Sequence, residues 1–189
     1  MRMQWIAIAV LVAVVLYVIV VFNRLVRLRN QVREGWSGID VQLRRRTDLI
    51  PNLVDTVKAY AAHERGLFEQ ITKLRASSIA ADNVSAQAAA ERALKGALGR
   101  LQVLAEGYPE LKANQNYLKL QEQLAEIEDQ LQMARRYYNG SARDLNVAVQ
   151  SFPSVLIARP FGFGEAAFFE LDDQDAAQTP KISLSPGGS

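Results

Sequence analysis

The chain has 189 residues, and setting aside an N-terminal apolar run and a polar tail leaves about 150, enough for one domain with a sizeable core. The formal net charge is only +2, which names no charged partner. There is no cysteine, which excludes disulfides, thiol catalysis, thiolate metal sites and lipoprotein-type acylation, and the single histidine, His63, excludes a His-rich metal site.

Residues 5–22 are apolar at all 18 positions. As a helix they rise about 27 Å, just enough for a bilayer core with help from flanking residues. Trp5 and Phe22 stand where interfacial rings belong. The run exceeds the apolar stretch of a signal peptide, and no small-x-small cleavage signal follows it, so it is read as a retained transmembrane anchor, residues 1–22. Arg24, Arg27, Arg29 and Arg33 follow it, whereas only Arg2 precedes it. The positive-inside rule then places the C-terminal domain in the cytoplasm, with the periplasm as the alternative.

Beyond the anchor, Leu25, Leu28, Val32, Trp36, Ile39 and Leu43 recur in steps of three and four, the stripe of an amphipathic helix. No break separates this stripe from the anchor, so the membrane helix is expected to continue as helix 1. Pro51 is expected to end it and to sit in the first turn of helix 2, capped by Asp48 and running to about Ile79. Ser85 is the expected cap of an alanine-rich helix 3, ended by Gly107-Tyr108-Pro109. Helix 4 starts near Glu110, carries Tyr117, Leu120, Leu124, Ile127, Leu131 and Tyr138 inward, and stops at Pro153. A short strand-like alternation occurs only at 167–171, and 172–189 read as a disordered polar tail. The fold class is all-α: a long antiparallel up-down helical bundle, residues 23–171, continuing from the transmembrane helix.

Two segments share a pattern of aromatic, Asn, Arg, Asn and aromatic residues, 116 positions apart: Phe22, Asn23, Arg27, Asn30, Trp36 and Tyr138, Asn139, Arg143, Asn146, Phe152. The asparagines of each pair are seven apart and share a helix face. Asn is a poor helix-interior residue, so the four are expected to hydrogen-bond across a helix 1–helix 4 contact near the bilayer. Helix 4 also delivers Phe152, Phe161, Phe163, Phe168 and Phe169 toward the membrane. These five either rest at the headgroup level or meet a partner, or they close the open end of the core.

No motif carries recognisable chemistry. His63-Glu64 lacks a second histidine one turn on, so it is read as a helix-surface histidine and not half of a zinc site. Phe161-Gly162-Phe163-Gly164 does not have nucleotide-loop spacing. Arg44-Arg45-Arg46 points three ways around a helix and reads as a solvated helix end, not a nucleic-acid face. Glu122, Glu126, Glu128 and Asp129 read as surface charge, and Asn83-Val84-Ser85 as a chance glycosylation tripeptide. No catalytic, metal or cofactor-binding residue is assigned.

The stretch 23–46, with Asp48-Leu49-Ile50-Pro51-Asn52-Leu53-Val54, then Tyr138-Asn139, Asn146, Phe152-Pro153, Phe161-Gly162-Phe163 and Phe168-Phe169-Glu170, resembles the LemA family of bacterial membrane proteins. The resemblance covers roughly residues 5–171; Gly35 stands where alanine is expected and Phe22 where tyrosine is expected. It implies an N-terminal anchor and a long helical bundle in a bacterial inner membrane, and it does not imply an activity.

Three functions compete on these readings. The leading one is a non-enzymatic membrane scaffold or adaptor, assembling with itself as a homo-oligomer or with other membrane proteins such as membrane-associated proteases. The second is a lipid-contacting, membrane-shaping protein, using the arginines after the anchor and the phenylalanine segment. The third is a hydrolase built from helix carboxylates and His63. Partners are the lipid bilayer and other proteins, with no nucleic acid.

Overall fold

A computed structural model describes residues 2–170; the tail assigned to 172–189 lies outside the described residues. The described residues form α1 (Arg2–Lys58), α2 (Arg65–Ala80), α3 (Val84–Glu106), a single turn α4 (Pro109–Lys112), α5 (Gln115–Gln150) and a second short turn α6 (Val155–Ala158). Among the described residues there is no strand: of the alternation expected at 167–171, residues 167–170 have no regular secondary structure and Leu171 lies outside the described residues. The protein is an all-α antiparallel bundle.

The 57 residues of α1 form one helix about 86 Å long. Apart from the half-buried Val18, residues 2–20 are exposed; burial begins at Val21 and Leu25. The boundary drawn at 22–23 therefore falls inside a continuous helix. So does Pro51, which was expected to separate two helices. A proline ring removes the N–H that would bond the carbonyl four residues back, here Thr47. That carbonyl is taken instead by Arg75 of α2, whose Nε donates to it at 2.7 Å. The helix passes through Pro51 because a neighbouring helix supplies the missing donor. Asp48 accordingly caps nothing, and the segment expected as one helix 2 divides into the end of α1, a loop and α2.

The remaining caps follow simple rules. Asn83, not Ser85, caps α3, its Oδ1 accepting from the Ala86 N–H at 2.8 Å. Asn114 caps α5 by accepting from the N–H groups of Asn116 and Tyr117, and its Nδ2 donates to the Tyr60 hydroxyl at 3.1 Å. Helix 4 thus begins at Gln115, after the separate turn at Pro109.

α1 and α5 run antiparallel along the whole domain: Glu34 meets Tyr137, Gly38 meets Ala134 and Arg46 meets Glu128. The α2–α3 hairpin covers only their far half, burying Phe68, Ile71, Leu94, Ala97 and Leu101 against Ile50, Leu53 and Val57 of α1. Over the near half no hairpin covers the pair. Its place is taken by α6 and the extended residues 163–170, which bury Phe163 with Val21, Leu25, Leu145 and Val149, and Phe169 with Ile39, Leu131 and Tyr138.

Gly35 sets how closely α1 and α5 approach. A Cβ there would lie 2.9 Å from the Tyr138 Cα, against backbone that cannot swing aside. The alanine expected from the resemblance would push the helices apart. Gly35→Val is expected to destabilise the fold by about 2 kcal/mol, within the usual cost of overpacking. Gly38→Ala is the control: its Cβ would meet Ala134 at an ordinary 3.8 Å, so it is expected to be neutral or slightly stabilising. Denaturant unfolding of the detergent-solubilised chain measures both.

Candidate functional site

The near end of the domain gathers most of the residues singled out in the sequence. α5 supplies Tyr138, Asn139, Leu145, Asn146 and Val149. The chain then leaves the helix at Ser151, makes α6 and turns back. Gly162 makes the turn possible, with φ at +69°, a left-handed conformation that glycine adopts without strain. The Phe163 N–H bonds the Ala158 carbonyl at 3.0 Å and the Gly162 N–H bonds that of Arg159 at 3.2 Å. These are the two bonds of a Schellman motif, so the Phe-Gly-Phe-Gly run is a helix stop that redirects the chain up the α1–α5 groove.

Two asparagines lace the returning segment to α5. The Asn146 Nδ2 donates to the Ala166 carbonyl at 2.9 Å, and its Oδ1 accepts from the Ala166 N–H at 2.7 Å. Asn139 makes the same pair of bonds to Phe169, at 3.1 and 2.9 Å. A carboxamide has one acceptor and one donor side, so it can pair with a peptide unit as a neighbouring strand would. Between them, the Tyr138 hydroxyl donates to the Ala167 carbonyl at 2.7 Å. Burial raises the Tyr138 pKa above the usual phenol value of 10.0, which keeps that donor protonated.

The four asparagines are therefore not brought together. Asn23 and Asn30 are exposed, and Asn139 and Asn146 direct their hydrogen bonds to backbone and not to them. Leu25 is the buried direction of α1 here, and at about 100° per residue both asparagines lie well over 90° from it. The seven-residue spacing on α5 serves a different partner, the backbone of 166–169. Asn146→Ala would leave a half-buried N–H and carbonyl without partners. It is expected to cost about 2 kcal/mol and to abolish hydrogen-exchange protection of the Ala166 amide.

The phenylalanines divide between core and surface. Phe169 is fully buried and Phe163 nearly so, whereas Phe152, Phe161 and Phe168 are 80, 55 and 42% exposed. Trp36 packs on Tyr138 and edge-on to Phe169, with centroids 5.5 and 5.8 Å apart. Phe22, at the end of the apolar run, packs edge-on against Phe161 at 5.2 Å and Phe163 at 5.6 Å. The Arg29 guanidinium lies 4.8 Å from the Phe163 ring centroid, a cation–π distance.

A second polar centre lies at the near end of the α2–α3 hairpin, and it corrects the reading of Arg44–Arg46 as a solvated end. Arg44 and Arg45 are exposed, but Arg46 is 4% exposed. Its Nη2 meets the Glu91 carboxylate at 2.6 Å and its Nη1 meets Glu128 at 3.1 Å. The Ser78 hydroxyl donates to Glu91, and the Gln87 Nε2 donates to Glu91 and to Ser78. Lys95 reaches the other Glu128 oxygen at 3.4 Å. Arg46 thus ties α1 to α3 and α5, and Glu128 is a half-buried bridge instead of surface charge. A signal for it was present: Arg46 falls on the buried stripe of Leu43, Ile50, Leu53 and Val57, and Glu91 on that of Ala88, Leu94 and Leu101. A charge on an apolar stripe needs a partner. Beside this network opens a cleft of about 470 Å³ with Asp40, Arg44, Asp48 and Gln87 on its walls. His63 lies far from both centres, exposed in the α1–α2 loop and not on a helix. Among the described residues no cluster of His, Asp and Glu could hold a metal ion.

Residues 35–184 match the sequence profile of the LemA family. The chain is 26% identical to magnetosome protein MamQ of Magnetospirillum gryphiswaldense, over 92% of this chain and 72% of that one. It is 24% identical to magnetosome protein MamQ 2 of Paramagnetospirillum magneticum, over 86 and 68%. It is 26% identical to protein LemA of Metamycoplasma hominis, over 80 and 69%.

Proposed function

The chain belongs to the LemA family, and on that premise we propose that it is a non-enzymatic, membrane-anchored helical scaffold that assembles with itself at the bacterial inner membrane. The observation that carries the reading is α1: one helix runs from the exposed apolar residues to Lys58, so the bundle is a rigid extension of the anchor and not a domain on a flexible tether. The unusual polar groups also support it. Arg46 and Glu91 bind each other, and Asn139 and Asn146 bind backbone, so these side chains hold the fold together. Arg24, Arg27, Arg29 and Arg33, directly after the anchor, favour a cytoplasmic bundle. Its partners are further copies of itself and other membrane proteins, membrane-associated proteases among them.

The full chain reconstituted in nanodiscs is expected to give masses of several copies by native mass spectrometry. A monomer at all concentrations, recovering no membrane protein from cross-linked cells, overturns the reading. The exposed phenylalanines at the near end favour a second reading, direct contact with lipid, which does not exclude the first.

A further inference from the structure

The apolar run and the folded domain overlap. The apolar residues end at Phe22, yet the domain begins to pack below that point: Val18, Val21 and Phe22 all join the cluster formed by Leu145, Val149, Ile157 and Phe163. If the domain stood wholly outside the bilayer, only residues 5–17 would remain to cross it. Thirteen residues of helix rise about 20 Å, well short of a hydrocarbon core of about 30 Å. The full run of 18 residues, about 27 Å, comes close to fitting. Using all of it draws the last turn of the run into the bilayer, together with whatever packs against that turn.

What packs there is suited to lipid. Phe152 is 80% exposed, Leu156 64% and Phe161 55%, in the segment that packs beside Val18 and Phe22. Large exposed apolar side chains in one patch mark a surface covered by something else. Phe161 joins this segment to the apolar surface of α1, because it rests edge-on against Phe22. Arg24 and Arg159 are both exposed, each within two residues in sequence of Phe22 or Phe161, and a cation beside an inserted apolar group is suited to phosphate headgroups. Asp144 and Glu165 are the exposed acids nearby in sequence, and Asp144 is drawn toward Arg143 at 3.8 Å.

We infer that the α5–α6 end of the domain is a membrane seat: Phe152, Leu156 and Phe161 insert into the hydrocarbon edge of the same leaflet from which the anchor emerges. The inference rests on the membrane-anchored reading above, and its test separates the two. The chain lacks cysteine, so single nitroxide labels can be placed at Phe152→Cys, Leu156→Cys, Phe161→Cys, Val12→Cys in the anchor and Val103→Cys on α3. All five side chains are at least half exposed, so the fold tolerates them. The labelled full-length chain is reconstituted in vesicles of phosphatidylcholine and phosphatidylglycerol, and collision rates with oxygen and with a water-soluble nickel chelate are compared. The expected result is a several-fold lower nickel accessibility at Phe152, Leu156 and Phe161 than at Val103, approaching that of Val12. Nickel accessibility equal to that at Val103, with Val12 still protected, overturns the seat and leaves the anchor standing. Nickel access at Val12 itself overturns both.

Discussion

Glu91→Leu is expected to destabilise the fold by about 3 kcal/mol, the usual result of removing one partner from a buried ion pair. Glu91 is almost fully buried and receives three donors: Arg46, Ser78 and Gln87. Its loss leaves the Arg46 charge in the bundle interior with only Glu128, which is partly exposed to water and shared with Lys95. The Arg46 Nε already has no hydrogen-bond partner, so the side chain has no reserve contacts to fall back on. The double variant Arg46→Met with Glu91→Leu removes both charges and is expected to recover most of the loss, because a well-packed apolar pair commonly replaces a buried salt bridge at little cost. Denaturant unfolding of both variants in detergent measures this. If the double variant is no better than Glu91→Leu alone, the pair is not the source of the destabilisation.

Phe169→Ala is expected to cost about 4 kcal/mol, typical of truncating a buried phenylalanine. Phe169 is fully buried, edge-on to Trp36, in a cluster with Ile39, Leu131 and Tyr138. It also anchors residues 163–170, since its own backbone is bonded to Asn139. The variant is therefore expected to release that segment. Hydrogen exchange at the Ala166 and Phe169 amides should rise while the α2–α3 hairpin keeps its protection. Phe168→Ala, next to it and 42% exposed, should change neither quantity appreciably. Equal effects at 168 and 169 would contradict the assignment of which ring is buried.

Much of this architecture is legible in the sequence because helix periodicity is a local property. The inward residues of α5 from Tyr117 to Val149, and the continuity of anchor and bundle, follow from spacing alone. Where the reading went astray, the deciding partner lay on another element. Pro51 ends a helix in isolation; Arg75 lets the helix continue. Asn139 and Asn146 share a face, as their spacing requires, but they bind main-chain groups, which every residue carries and no sequence pattern announces. The likeness between the two asparagine-bearing segments therefore suggested a pairing that only one of them takes part in. Arg46 is the instructive omission. Its neighbours Arg44 and Arg45 are exposed, and although a helix separates the three by about 100° each, the direction that Arg46 takes is the buried stripe and not a solvated face.

The covering of the α1–α5 groove by residues 163–170 has a consequence for the order in which the protein assembles. α2 and α3 are joined by a three-residue turn and can close on each other as soon as Glu106 has been synthesised. α1 and α5 cannot, because Glu34 and Tyr137 are 103 positions apart. The groove they form is finished only when Ala166 and Phe169 arrive to take the asparagine bonds. Contacts between distant parts of a chain are the slow ones. The half of the domain next to the anchor is thus the last to form, and a chain stalled or cleaved after Gln150 would display Leu25, Leu145 and Val149 uncovered, a surface on which misassembly or quality control can act.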